Sequence, residues 1–322
     1  MAIGAPLVSV LIPAYNRAAL LPRAIGGVLR QTLQDFEVVV VDDGSEDETA
    51  AVVDSYTDPR VRLVRLPVKG GVARARNAGV SAARSALVAF LDSDDEWRPE
   101  KLERQVARLK GRGGGVVYCR YSRHVPAAVR LAPGPAVARG DVFRALLRGW
   151  DPLPSCVLMR RVALAGVGPF DESLPAFADY EMWLRLAEHG ADFVAVDEAL
   201  VVKHEESSGR ISSDPDLLLR GFQGLDRKWA ARIREQAGDR EYRRWRARLL
   251  ASIAYVEVQR SMTSGHRAAA WKHCLQMLPL LPWSARYPVF GIGMALLGLR
   301  GYRALARLKA GVAGSRSRDR GR

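Results

Sequence analysis

Short apolar runs alternate with amphipathic helical patterns over the first 110 residues, and this alternation constrains the fold more than any other feature. The runs have the length of buried strands, and one of them contains four consecutive valines, Val38–Val41. The pattern predicts strands at 7–13, 36–42, 61–66 and 87–91, and helices at 17–32, 46–56, 71–83 and 99–110. Strands that alternate with helices indicate an α/β fold with a mostly parallel sheet flanked by helices.

The pattern is less regular beyond residue 110 and changes character near Pro215. We expect strands at 116–121 and 154–160, a loop at 125–139 and a helix at 179–189. Arginine-rich helices are predicted at 217–236 and 239–260, and further helices at 266–278 and after Pro288. The predicted organisation is an α/β domain over residues 1–214, a basic helical extension over 215–310 and a disordered tail over 311–322.

The positive charge is concentrated in the last third of the chain. Residues 209–322 contain 23 Lys and Arg against 8 Asp and Glu, whereas residues 1–208 are nearly neutral. Aromatic residues stand beside these cations, as Trp283 and Tyr287 do beside Arg286, which is typical of a segment that lies on an anionic membrane surface. A solvated helical appendage is the alternative, and nucleic acid is not an expected partner because no binding motif accompanies the charge.

Cysteine content and hydropathy favour a cytoplasmic protein. Three cysteines that lie far apart argue against a disulfide scaffold. The N-terminus has no basic region before its apolar run, so we interpret that run as a first strand. No apolar stretch reaches the ~18 residues of a membrane-spanning helix. The expected location is the cytoplasm, with peripheral association at the inner face of the membrane.

Three carboxylates follow the predicted strand 87–91 directly. Asp92, Asp94 and Asp95 belong to the run LVAFLDSDDEW. Negative charges this close repel each other and need a countercharge. A divalent cation with oxygen ligands, shared with the phosphates of a ligand, provides one.

Polar residues also follow the other three predicted strands. With the small residues between them, the segments comprise Pro13, Ala14, Tyr15, Asn16 and Arg17 after the first strand, Asp42, Asp43, Gly44, Ser45 and Asp47 after the second, and Lys69, Gly70, Gly71, Arg74 and Asn77 after the third. Taken singly, these motifs are also explained as turns, helix caps or solvated faces. Because parallel strands end at the same sheet edge, together they predict a site for a base, a ribose, a diphosphate and a metal.

The order VSVLIPAYNR, VVVVDDGSEDET, GGVARARNAG and LVAFLDSDDEW resembles the family 2 glycosyltransferases of GT-A fold, and the resemblance extends from about Val8 to Glu205. It implies transfer of a sugar from a nucleotide-diphosphate donor, a UDP-sugar by expectation, with Mg²⁺ or Mn²⁺ and with inversion at the anomeric carbon. The acceptor would be a hydroxyl of a glycan or of a lipid-linked saccharide.

The resemblance also implies roles for individual residues. Ala14, Tyr15 and Arg17 would line the base pocket, in which Asp43 would accept a hydrogen bond from the base. Pro13 and Asp42 would also belong to the nucleotide site. Arg74 and Asn77 would lie near the nucleotide. Asp94 would approach the ribose or the metal, Asp95 would hold the metal, and Asp92 would support this motif.

The catalytic base implied by the resemblance is Asp179, in the run FADYEMWLRL. The family usually has Glu where this chain has Ala178, and Glu181 is a second candidate for the base. The late histidine of the family is matched by His204, which would contact the metal or the diphosphate. The polar segment 205–213 is expected to close over the donor.

Two other classes of protein are alternatives to a glycosyltransferase. A dinucleotide-dependent oxidoreductase would carry G-x-G-x-x-G after the first strand, where this chain has Pro13-Ala14-Tyr15-Asn16-Arg17. A nucleotide-sugar binding or scaffold protein without turnover is the non-enzymatic alternative, and Ala178 is the residue that favours it.

Overall fold

The computed structural model describes residues 5–109, 115–125, 128–131, 141–204, 211–281, 283, 292–293 and 295–296. The chain divides into two compact units, Met1–Gly209 and Arg210–Arg322. The first is an α/β unit and the second is helical, in agreement with the prediction of an α/β fold followed by a helical region.

One sheet runs through the described part of the first unit. Its strands are β1 (Val8–Ala14), β2 (Phe36–Asp42), β3 (Val61–Arg65), β4 (Leu87–Phe90), β5 (Asp95–Trp97), β6 (Val116–Val125), β7 (Ala128–Leu131), β8 (Val157–Arg160) and β9 (Phe193–His204). Their order is β3-β2-β1-β4-β8-β6-β9-β5, and β7 pairs with β6.

The sheet is mixed, with a parallel half and a half of alternating direction. β1, β2, β3 and β4 are mutually parallel, as the sequence predicts. β8 is antiparallel to both β4 and β6, β6 is parallel to β9, and β5 and β7 pair antiparallel with β9 and β6. The parallel arrangement expected for most of the sheet therefore applies to the first four strands and to the β6–β9 pair.

Helices flank this sheet and make up the second unit. Those of the first unit are α1 (Leu21–Leu29), α2 (Thr49–Asp54), α3 (Val72–Ala82), α4 (Lys101–Leu109), α5 (Val142–Leu147), α6 (Arg161–Val167) and α7 (Ala178–Glu188). Those of the second are α8 (Pro215–Ala237), α9 (Asp239–Thr263) and α10 (Arg267–Met277). Short 3₁₀ turns occupy Pro154–Cys156, Ile211–Ser213 and Leu278–Leu280.

The main core lies between the sheet and helices α1 and α4. All residues of β1 and β2 are buried, and Val38 and Val40 of β2 pack with Ile25 and Val28 of α1 in a single apolar cluster. A strand that is buried on both faces needs apolar residues at successive positions, which explains the valine run of β2. This packing fixes the ends of β1 and β2, where the candidate site begins.

Two sequence predictions differ from the structure in informative ways. The predicted loop 125–139 contains β7, which forms a hairpin with β6 within the described residues. The predicted helix 17–32 begins only at Leu21, because backbone groups of residues 16–18 bond to side chains that follow β2. The predicted strand 154–160 begins as a 3₁₀ turn and becomes β8 at Val157.

The second unit has its own core, in which Trp229 of α8 and Trp245 of α9 are fully buried. Its cationic side chains lie mainly on the exposed positions of these helices. A membrane-spanning helix would need a longer apolar stretch than any helix among the described residues has. The predicted tail 311–322 and the segment after Pro288 lie almost entirely outside the described residues.

Candidate active site

The carboxyl ends of β1, β2, β3 and β4 meet at one edge of the sheet, as their parallel pairing requires. Hydrogen bonds between the residues that follow these strands continue the ladder: the Asp43 amide donates to the Ala14 carbonyl at 2.8 Å, and the Leu91 amide donates to the Leu11 carbonyl at 2.9 Å. The polar residues that the sequence assigned to one edge are therefore brought together.

The segments after β1 and β2 are fastened to each other. Asn16 has a left-handed backbone (φ 51°), and its amide donates to Ser45 Oγ at 2.9 Å. The Arg17 amide donates to Thr49 Oγ1 at 2.7 Å. Pro13 and Ala14 are the last two residues of buried β1 and directly precede this turn.

Tyr15 presents its ring beside the turn that follows β3. The side chain is half-buried, and Lys69 Nζ lies 3.9 Å from the ring centroid. A cation over an aromatic face is an attractive contact of moderate strength. Lys69 was predicted to follow the third strand, but its contact with Tyr15 is seen only in the structure.

Asp42 and Asp43 shape the turns around this ring. Asp42 Oδ1 accepts from the Ser45 amide at 3.0 Å. The two oxygens of Asp43 accept from the Gly70 and Gly71 amides at 2.8 and 2.7 Å, so Asp43 holds the Gly-Gly turn against β2. Its predicted hydrogen bond to a base stays a prediction.

Gly44 allows these two turns to approach closely. Its φ is +71°, and a Cβ at this position would lie 2.8 Å from the backbone of Val68 and Lys69. Both the backbone conformation and the space therefore require glycine.

Helix α3 brings three polar residues to the edge. Arg74 is half-buried, and its side chain lies against Gly70. Arg76, which the sequence analysis missed, is 4% exposed and donates from Nη2 to Asp92 Oδ1 at 2.9 Å. Asn77 bonds to Phe170 and Glu172, and its predicted place near the nucleotide stays a prediction.

Asp92, Asp94 and Asp95 form the acidic centre of the edge. Asp95 is buried at the start of β5, and Ser155 Oγ donates to its Oδ2 at 2.6 Å. The same Ser155 hydroxyl accepts from the Asp92 amide at 3.0 Å. Among the described residues, Asp95 Oδ1 is buried and has no hydrogen-bond partner. Ser155 is a second site residue that the sequence analysis missed.

Burial and mutual repulsion perturb these carboxyls. Burial, together with the charges of Asp92 and Asp94, raises the pKa of Asp95 to about 7 against the opposing effects of Ser155 and Lys203. Burial also raises the pKa of Asp92, as do Asp94 and Asp179, although Arg76 acts in the opposite direction. The side chain of Asp92 keeps 32% of its surface exposed, so it lies in a recess that still opens to solvent.

Asp179, the predicted base, lies close enough to Asp92 for its charge to raise the pKa of that carboxyl. Asp179 stands in the first turn of α7, half-buried, after Phe177 with its left-handed backbone (φ 64°). The rival candidate Glu181 is fully buried, and both of its oxygens accept from Arg185 Nε at 3.0 and 2.8 Å. Glu181 is thus engaged in the interior, whereas Asp179 is half-buried and its Oδ1 accepts from the Tyr180 amide at 2.9 Å.

His204 lies at the end of β9, next to Lys203, which pairs with Asp95 across the sheet. Its Nε2 is 3.3 Å from Glu96 Oε2. Burial and the charge of Arg23 lower the pKa of His204, which favours the neutral imidazole. No set of three or more His, Cys, Asp or Glu side chains in the described parts of the chain is arranged to hold a metal ion. The predicted trio Asp94, Asp95 and His204 therefore does not form a closed ligand set.

Comparison with known proteins identifies the domain that carries this edge. Residues 9–161 match the family described as "Glycosyl transferase family 2". The first unit thus contains a family 2 glycosyltransferase domain, and the resemblance predicted from the four motifs is confirmed.

Two bacterial relatives of this chain have names that refer to saccharide synthesis. The succinoglycan biosynthesis protein ExoO of Rhizobium meliloti is 46% identical over 34% of this chain and 32% of its own length. The Escherichia coli protein WfgD, named a UDP-Glc:alpha-D-GlcNAc-diphosphoundecaprenol beta-1,3-glucosyltransferase, is 29% identical over 69% of this chain and 84% of its own length. Among the first three relatives, the match spans 32%, 67% and 58% of the relative's length.

Solved structures share the fold. The Staphylococcus aureus protein TarS, residues 1–349 in complex with UDP-GlcNAc, matches with a TM-score of 0.56 and 18% identity over 82% of this chain and 88% of that one. The Pyrobaculum calidifontis mannosyltransferase PcManGT, in complex with GDP-Man and Mn²⁺, matches with a TM-score of 0.57 and 21% identity over 91% of this chain and 87% of that one. The predicted GT-A fold with a helical C-terminal region is confirmed.

Proposed function

We propose that the protein is an inverting, metal-assisted glycosyltransferase. It takes a sugar from a nucleotide-diphosphate donor, with a UDP-sugar as the expected donor, and transfers it to a hydroxyl of a glycan or lipid-linked saccharide. The observation that carries this proposal is the unsatisfied, buried Oδ1 of Asp95 in a recess that also contains Asp92, Asp94 and Asp179. Unpaired acidic oxygens at the ligand edge of an α/β sheet need a cationic partner.

The residues of this recess fit a divalent cation. Mg²⁺ is usually bound in proteins by one or two carboxylates together with substrate phosphates, so a closed ligand set is not required. Asp94 and Asp95 would hold the cation, with neutral His204 nearby on β9. The Mn²⁺ complex of PcManGT supports the use of a divalent cation. When bound, the cation would stabilise the negative charge that develops on the diphosphate.

The nucleotide would lie along the segments that follow β1, β2 and β3. The Tyr15 ring offers an apolar face, and Asp43 fixes the Gly70-Gly71 turn beside it. Arg17 and Arg74 add positive charge to the same edge, which suits a diphosphate. The complexes of TarS with UDP and UDP-GlcNAc support a uridine nucleotide, while the GDP-Man complex of PcManGT makes guanosine the alternative.

Asp179 would accept the proton of the acceptor hydroxyl as that oxygen attacks the anomeric carbon. It lies in the first turn of α7, close enough to Asp92 for its charge to act on that carboxyl. Glu181 does not compete for the role, since Arg185 occupies it inside the fold.

The relatives support a saccharide acceptor at a membrane. The name of WfgD gives an acceptor on diphosphoundecaprenol, which is a lipid carrier. The basic helices of the second unit suit an anionic bilayer, and we propose a peripheral position at the cytoplasmic face of the membrane. Sedimentation with vesicles of phosphatidylglycerol and phosphatidylcholine tests this; loss of binding in pure phosphatidylcholine supports the proposal, and no binding to anionic vesicles at low salt contradicts it.

A nucleotide-sugar binding protein without turnover is the second candidate, because buried Ala178 leaves Asp179 without the neighbouring Glu usual in the family. Hydrolysis of the sugar nucleotide, with water in place of the acceptor, separates the two candidates. Binding without hydrolysis in Mn²⁺ would favour the binding protein.

A thermal-shift panel tests the proposed donor class. UDP-glucose, UDP-GlcNAc, UDP-galactose and GDP-mannose are each added with Mn²⁺ and with EDTA. Ligand binding stabilises the folded state, so the donor is expected to raise the Tm in Mn²⁺ and much less in EDTA. The proposal fails if none of these nucleotides, and no free UDP or GDP, raises the Tm in either condition.

A further inference from the structure

Asn77, in the middle of α3, directs its side chain to a segment 93 residues further along the chain. The amide of Phe170 donates to Asn77 Oδ1 at 2.8 Å, and Asn77 Nδ2 donates to the Phe170 carbonyl at 3.0 Å. Nδ2 also donates to Glu172 Oε1 at 2.7 Å. A carboxamide has two N–H donors, so these bonds use both of them and leave neither for a nucleotide.

The segment that Asn77 holds is also held from the other side by α7. Arg185 Nη2 donates to the Pro169 carbonyl at 2.8 Å, and Arg185 Nη1 donates to the Gly168 carbonyl at 3.1 Å. Glu181 fixes Arg185 through two hydrogen bonds. A continuous chain of hydrogen bonds therefore connects α3, the 168–172 segment and α7, whose first turn contains Asp179.

Arg76, the residue beside Asn77, contacts the acidic centre. Arg76 binds Asp92 at 2.9 Å and lies 5.7 Å from the Phe170 ring, which packs edge-on against Phe90 of β4 at 5.4 Å. Adjacent residues of one helix thus bind the acidic centre and the segment that leads to α7.

We propose that Asn77 is a positioning residue for Asp179 and not a contact of the nucleotide. The inference rests on the proposed function, since Asp179 is the base only if the protein transfers sugar. Removing the Asn77 side chain would loosen the 168–172 segment and shift Asp179 relative to the reacting atoms. A displacement of about 1 Å can reduce turnover by about 100-fold even when binding is retained.

The test compares Asn77→Ala and Asn77→Asp with the wild type in two measurements. UDP binding in Mn²⁺ is measured by calorimetry, and kcat is measured for hydrolysis of the sugar nucleotide selected by the thermal-shift panel. Both variants are expected to keep the UDP Kd within about twofold and to lose about 10- to 100-fold in kcat. A rise of tenfold or more in the UDP Kd, or an unchanged kcat, overturns the inference.

A double variant protects the test against simple misfolding. In Asn77→Asp, a carboxylate faces Glu172 and the Phe170 carbonyl, whereas adding Glu172→Gln restores a donor opposite the new carboxylate. We expect the Asn77→Asp/Glu172→Gln protein to recover at least about fivefold in kcat over Asn77→Asp. A nucleotide contact would not be rescued from position 172, so absence of recovery contradicts the positioning role. Failure of the proposed function would appear separately, as a wild-type protein without UDP binding or hydrolysis.

Discussion

The two halves of the first unit contribute to the candidate site in different ways. In residues 8–97, four parallel strands bring their ends to one edge, and the site residues follow directly from the strand ends. In residues 141–204, Asp179 and Ser155 reach the same recess through a mixed sheet and through contacts between distant segments. In the proposed function, the first half would bind the nucleotide, and the second half would supply the base and support the acidic centre. Each prediction below concerns a substitution in one half and its expected effect on turnover, ligand affinity or stability.

The largest effect is expected from Asp95→Ala in the first half, residues 8–97. The change removes the carboxylate proposed to hold the cation, so turnover should fall by at least about 1,000-fold. Asp95 is repelled by Asp92 and Asp94, so its removal should leave the Tm in EDTA unchanged or higher. The control is Asp54→Ala, which removes an exposed carboxylate that pairs with Arg65 away from the site. A variant that retains turnover, or that unfolds, contradicts the assignment.

Asp179→Asn should produce the next largest effect, and this effect should be confined to turnover. Loss of a general base reduces rates by about 100- to 10,000-fold, while UDP affinity in Mn²⁺ should change less than about twofold. Hydrolysis assays and calorimetry measure the two quantities separately. Asp197→Asn, at an exposed ion pair with Arg120, serves as the matched control. Full turnover by Asp179→Asn would remove this residue from the base role.

Glu181→Gln should affect stability, in contrast to the effect of Asp179→Asn on the same helix. The pair of Glu181 and Arg185 is buried, and removal of one charge from such a pair costs about 3 kcal/mol. Urea unfolding measures this loss in the free energy of unfolding. The exposed pair of Arg104 and Glu198 provides the control, because Glu198→Gln should change stability by less than about 1 kcal/mol. Equal small losses in both variants would mean that the 181–185 pair does not hold this half together.

Ser155→Ala tests the contact between the halves. The change removes the donor to Asp95 and leaves the Asp92 amide without its acceptor, which should cost about 1–2 kcal/mol. Supporting residues of metal ligands typically change affinity by about 10-fold or more, so Mn²⁺ binding in the presence of UDP should weaken by about that factor. Ser173→Ala, which removes a hydroxyl bonded only locally to Asp171, should change neither quantity. An unaltered Mn²⁺ affinity in Ser155→Ala would show that the hydrogen bonds of Ser155 are not needed to position the acidic centre for the cation.

The smallest effect concerns the pH dependence of the free energy of unfolding, to which Glu37 contributes in the first half, away from the site. Burial raises the pKa of Glu37, but hydrogen bonds from Ser9, the Arg84 amide and Arg62 outweigh it, so the net pKa is below the ordinary value of 4.5. A lowered pKa in the folded state means that Glu37 stabilises the fold above pH 4.5 and loses this contribution as the pH falls through its folded pKa. The difference in unfolding free energy between the wild type and Glu37→Gln should be about 1 kcal/mol at pH 7 and should shrink below pH 4.5. A difference that does not change with pH contradicts this explanation.

The same two halves explain how far the sequence allows the structure to be predicted. β1, β2 and β4 are found from their apolar runs, and Asp43 and Asp95 are found because polar residues follow those runs directly. β5 has only three residues and forms through pairing with β9, more than 100 residues away, so no local pattern indicates it. β9 itself was missed because Asp197 and Glu198 interrupt its apolar pattern.

Site residues that depend on helix orientation or on distant contacts were also missed. Arg74 and Asn77 were predicted because they follow the third strand, yet the packing of α3 on the sheet directs the neighbouring Arg76 to Asp92. Ser155 lies in a 3₁₀ turn whose role appears only when β8 pairs with β4. Asp179 was assigned through the family resemblance, because nothing in its local sequence alone indicates a base. Its catalytic role stays a prediction.

The binding of UDP, measured by calorimetry in Mn²⁺ and in EDTA, tests most directly whether the acidic centre and the turns beside it form one nucleotide site. The account predicts that UDP binds wild-type protein at least about tenfold more tightly in Mn²⁺ than in EDTA, and that Asp95→Ala in Mn²⁺ binds like the wild type in EDTA. Equal UDP affinity in all three samples, or no binding in any of them, would contradict it.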